Sequence, residues 1–86
     1  MTEKERVELE VCVDVLNSLI ADFHIIASKH NIPLDKDDNV GVSYRKVVKY
    51  VNHLRRTTSY EDVIAAKRNI ATIRSRLVRL EVERDV

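Results

Sequence analysis

Apolar residues recur along the first third of the chain at Leu9, Cys12, Val13, Leu16, Leu19, Ile20, Phe23, Ile26 and Ala27. At about 100° per residue these positions fall on one continuous face, the pattern of an amphipathic helix. Thr2 and Glu5 stand at the spacing of a capping box. In that motif a hydroxyl and a carboxylate each satisfy a backbone N–H that the first helical turn leaves open. Asn31 followed by Ile32 and Pro33 supplies a stop, because proline disfavours helix in the residue before it. The expected first helix covers about residues 3–30.

A second period runs through the same stretch. Val7, Leu9, Val11, Val13 and Val15 alternate with Glu8, Glu10, Cys12 and Asp14, and a weaker echo occurs at Leu80, Val82 and Val86. That is how a half-buried strand reads. The capping box, the acids near the helix start and the lack of other strands to pair with favour helix. A short strand over residues 6–15 is the alternative. Val7, Val11 and Ile25 also form a narrower apolar line, roughly opposite the main face. Such a line suits a helix held between two partners.

Residues 31–42 contain Pro33, Asp35, Asp37, Asp38, Asn39 and Gly41, and read as a loop. Ser43 is positioned to cap a short second helix over about residues 44–56, with an apolar stripe at Tyr44, Val47, Val48, Val51 and Leu54. Thr57, Thr58 and Ser59 break the pattern, and Ser59 with Asp62 makes a weaker capping pair for a third helix over about residues 60–84. Its apolar residues, Val63, Ala66, Ile70, Ile73, Leu77 and Leu80, follow a heptad seam. The expected fold class is all-α: one domain over residues 1–86, a three-helix chain of two long helices and one short, forming an oligomeric helical bundle.

Length sharpens this picture. A chain of 86 residues buries only about 60–65% of its unfolded surface, so it needs a staple: a disulfide, a metal or a partner. Cys12 is the only cysteine, which excludes an intrachain disulfide and suits a reducing, cytoplasmic compartment. The N-terminus has no apolar signal region, and no apolar run approaches the roughly 20 residues that span a bilayer. A cytoplasmic location with no membrane association is expected. The short helix would span about 20 Å against about 40 Å for the long ones, leaving parts of their seams uncovered. Leu9, Leu16, Ile70, Ile73, Leu77 and Leu80 are therefore candidates for a self-association seam.

Charge offers such a seam a way to pair. The net charge of +1 conceals a net of −5 over residues 1–42, +8 over residues 43–80 and −2 over residues 81–86. Acidic and basic flanks beside apolar seams let helices choose partners. A homodimer or higher oligomer is thus the leading partner expectation, beside an unidentified protein partner. Small helical chains without a pocket often serve as regulators, adaptors or inhibitors, phage- and plasmid-borne ones included. The alternative uses the basic half directly. Arg45, Lys49, Arg55, Arg56, Arg68 and Arg76 would form a face for nucleic acid or a nucleotide, with Tyr44, Tyr50 and Tyr60 available for stacking.

Candidate chemistry adds little. Asp35, Asp37 and Asn39 place oxygens as in the start of a calcium loop, but the glycine comes one place late and Lys46 stands where a closing carboxylate belongs. His24, His30, His53 and Cys12 include no pair at the spacing that puts two metal ligands on one helical face. The serines lie in no nucleophile-elbow context. No catalytic set, metal site or cofactor is expected, and the chain reads as a binder.

Overall fold

The computed structural model describes residues 1–37 and 39–84, with Arg84 described by its backbone alone. Asp38 of the calcium-loop pattern and Val86 of the alternating echo lie outside the described residues. Three helices follow one another: α1 (Glu3–His30), α2 (Val40–Leu54) and α3 (Tyr60–Arg84). Among the described residues the fold is all-α, a bundle of two long helices and one short, and residues 6–15 are helical. Alternation of valines and acids loses to the helix because the described residues include no second strand for that segment to join.

The ends of α1 are set by local chemistry. Thr2 accepts the Glu5 backbone N–H through Oγ1 at 3.1 Å, and the Glu5 carboxylate accepts the Thr2 N–H at 2.8 Å. At the other end Asn31 adopts a left-handed conformation with φ 55°, which asparagine tolerates better than most residues. The turn it makes returns the Ile32 N–H to the Ala27 carbonyl at 2.8 Å and buries Ile32.

Helix α2 begins earlier than its pattern of capping residues suggests. Ser43 does not cap it but lies inside the helix, buried at 6% exposure. Asp37 takes the capping role from outside the helix. Its Oδ1 accepts the N–H groups of Asn39, Val40 and Gly41 at 2.8, 2.6 and 3.4 Å. One carboxylate thus neutralises the positive helix end and satisfies its orphan donors. Arg45 then ties the loop down, donating to the Leu34 carbonyl at 2.8 Å. Helix α2 also stops at Leu54, two residues before the expected end, and Arg56 and Thr57 return their N–H groups to the His53 carbonyl. At the start of α3 the Thr57 hydroxyl donates to the Asp62 carboxylate, which also lies 3.0 Å from His53 Nε2.

The long helices run parallel. Glu8, early in α1, receives the Tyr60 hydroxyl and lies 3.4 Å from Lys67, both early in α3. Ile26 and Leu77, late in each helix, line one groove. Helix α2 runs the other way, placing Tyr44 at its start edge-on to Phe23 with centroids 5.9 Å apart. Helix α1 packs against both others, whereas α2 and α3 share far less contact. Leu16, Leu19, Phe23, Val47, Leu54 and Val63 form the fully buried centre.

Parallel packing changes what is covered. Leu16, Ile73 and Leu77 are buried within one chain, and Leu9, Ile70 and Leu80 pack half-buried against that core. These six residues do not form an open seam, because each long helix covers the other along its length. Helix α1 also carries an 18-residue window of mean hydropathy 1.5, of which only 33% is buried. By length and composition alone this helix could cross a bilayer, a test that the core helix of a soluble protein also passes. The expectation that no run is apolar enough is corrected on that point.

Candidate interaction face

Each long helix has an apolar second face. The large hydrophobic residues left exposed include Val7, Val11 and Ile25 on α1 and Ile64, Val78 and Val82 on α3. On α3, Ile64, Ala71, Val78 and Val82 are spaced by seven, seven and four residues, one helical face. That face turns toward α1's flank: Lys67 and Tyr60, which meet Glu8, lie beside it, whereas Asp62, which meets His53 of α2, lies on the other side. On α1 the exposed line lies beyond Glu8 and Asp22, away from His24, which bonds Tyr44 of α2 at 3.1 Å. Both lines therefore border the α1–α3 groove on the side opposite α2.

Ile25 and Val78 both line that groove. They are 65% and 60% exposed, so nearly two-thirds of each side chain faces water. Leu19, Ile26 and Leu77 form the floor, and Arg74 shares the lining with the acids Asp22 and Glu81. Exposed apolar residues beside a groove rimmed by charge are a mark of an interaction site. Scattered exposed valines would need no explanation, but four valines and two isoleucines toward one side of a bundle do.

Charge is divided across the same face. Glu10 and Asp14 edge the α1 line, and Arg68 edges the α3 line. Glu8 pairs with Lys67 within the chain, and the Tyr60 hydroxyl bond holds its carboxyl below the usual range. The same bond pushes the Tyr60 hydroxyl up. Asp62 is held low first by the Thr57 hydroxyl and then by His53. Cys12 is buried at 3% exposure, and burial raises its thiol.

The six basic residues of the nucleic-acid alternative are all exposed but do not form one patch. Arg45 and Lys49 follow the outer line of α2, and Arg45 is engaged with the Leu34 and Asp37 carbonyls. Arg55 and Arg56 lie past the end of α2, in the turn that leads to α3. Arg76 borders a groove between α2 and α3. Arg68 belongs to the opposite side of α3, toward Ile64 and Ala71. Of the interaction face, Val7, Val11 and Ile25 were readable as a second line. Ile64, Val78 and Val82 were missed, although their near-heptad spacing beside the main seam was a usable signal. No protein-family model, curated protein or solved structure matches this chain.

Proposed function

We propose that this chain is a small helical interaction module that works by binding rather than catalysis, and that its α1–α3 face joins two copies. The observation that carries this reading is the placement of Val7, Val11, Ile25, Ile64, Val78 and Val82 on one side of the bundle. Size supports it. The chain measures 46 × 21 × 16 Å, and its broad side is comparable to the ~800 Å² per partner that a stable interface buries.

Charge favours a second copy over an unrelated partner. A two-fold axis along the helices lays each α1 over the other chain's α3. Glu8 is level with the stretch between Tyr60 and Lys67, so Asp14 lies within about two residues' rise of Arg68. The acidic edge of one copy then meets the basic edge of the other at both ends of the symmetry operation. Apolar burial supplies the affinity and the charges select register.

The test is mass in solution across a dilution series. A dimer is expected, converted to a monomer by Ile25→Lys with Val78→Lys at unchanged helical content. A well-folded wild-type monomer at low micromolar concentration overturns the reading. So does a wild-type monomer that binds lipid vesicles through the same two positions, which would assign the face to a membrane surface.

A further inference from the structure

A second groove opens on the other side of α3, between its last turns and the start of α2, with a volume of about 350 Å³. It exists because α2 and α3 pack loosely against each other. Phe23 of α1 forms part of its floor, with Val40, Leu77 and Leu80 as apolar walls. Ser43 enters from α2. Its residue is 6% exposed, yet its hydroxyl makes no hydrogen bond to any described residue. A hydroxyl on the lining of an open groove can hydrogen-bond a polar atom of a ligand.

Charge at the rim says what kind of atom. Arg76 and Arg79 are three residues apart on α3 and both line the groove, with Glu83 one turn beyond Arg79. Among the described residues that line the groove, two guanidinium groups stand against one carboxylate. Each guanidinium fork matches a pair of anionic oxygens. The cavity is near the small end of the range of about 300–1,000 Å³ for ligand pockets.

We propose that this groove binds a small amphiphilic anion, a short acyl or alkyl chain ending in a carboxylate or phosphate. Its chain lies against Phe23, Leu77 and Leu80, and its head accepts hydrogen bonds from Arg76, Arg79 and the Ser43 hydroxyl. The site lies away from the α1–α3 face, so it does not depend on the dimer.

Titration calorimetry with decanoate and octyl phosphate, both below their micellar concentrations, tests the proposal on the whole chain. Saturable binding of at least one anion, one per chain, is expected, with decanol at least tenfold weaker. The preferred anion identifies the head group. The double variant R76Q/R79Q, altered only at exposed positions, is expected to lose at least tenfold in affinity. Ser43→Leu, which fills the cavity, is expected to abolish binding where circular dichroism shows the native helical content. No saturable binding of either anion overturns the proposal. So does decanol binding as tightly as the anions, unchanged affinity in R76Q/R79Q, or a folded Ser43→Leu that still binds.

Discussion

A methyl group placed on Gly41 would lie 2.5 Å from the Leu34 carbonyl oxygen, which is backbone and cannot swing aside. The loop before α2 therefore packs against the helix at a point where only glycine fits. Alanine in a helix interior is ordinarily better than glycine by about 0.5–1 kcal/mol. Here the sign reverses. Gly41→Ala is expected to destabilise the fold by about 1–3 kcal/mol, as overpacking does, and a lowered urea midpoint at unchanged m-value would show it.

Asp37 carries the start of α2 almost alone. Asp37→Ala removes the acceptor for three backbone N–H groups and is expected to cost about 1 kcal/mol, the usual worth of an N-cap. Asp37→Asn keeps an acceptor and is expected to cost less. Faster amide exchange at Val40 and Gly41, with α3 unaffected, separates local fraying from global loss.

The bundle core and the interaction face make opposite demands. Leu16→Ala and Ile73→Ala, both buried within the chain, are expected to cost about 2–5 kcal/mol of folding stability. Ile25→Ala, on the exposed face, is expected to leave the monomer's stability nearly unchanged and weaken self-association instead. Parallel denaturation and sedimentation measurements distinguish the two. Equal folding losses at Ile25 and Leu16 would remove the basis for the interaction face.

Glu8 links acid stability to the pairing of α1 and α3. Its folded pKa is lowered, first by the Tyr60 hydroxyl and then by Lys67. Its stabilising contribution is therefore present above the unfolded carboxylate value, about 4.3, and lost as pH falls through the lower folded value. Tyr60→Phe is expected to return the Glu8 titration toward the ordinary value, as followed by carboxyl carbon NMR. Acid unfolding should then begin at a higher pH. Tyr60, whose hydroxyl is raised, contributes in the opposite range: its share is complete below about pH 10 and lost as pH rises through the folded value.

Cys12 offers a probe of opening. A buried thiol with a raised pKa reacts slowly, since the thiolate is the nucleophile. Alkylation by iodoacetamide at pH 8 is expected to be slow in the native protein and to accelerate with denaturant in step with loss of helix. Rapid labelling of the native protein would contradict the burial.

Local chemistry determined the helices. The Thr2–Glu5 box and the Asn31 stop bound α1 at the residues where the structure begins and ends it, because caps act over three or four residues and depend on nothing distant. The periodic apolar faces of α1 and α3 likewise named the core from Cys12 to Leu77. Tertiary structure decided the rest. Ser43 and Asp37 are both sound capping residues, and the choice between them came from Gly41 and Arg45 docking the loop through Leu34. The decision that mattered most was how the long helices cover each other. A short α2 suggested an uncovered Leu9–Leu80 seam, but α1 and α3 lie parallel and bury it together. What remains uncovered is the second face, and periodicity within one helix cannot reveal that Ile25 of α1 and Val78 of α3 line the same groove. That depends on the packing of two helices that bring together residues more than fifty positions apart in sequence, which no local pattern encodes.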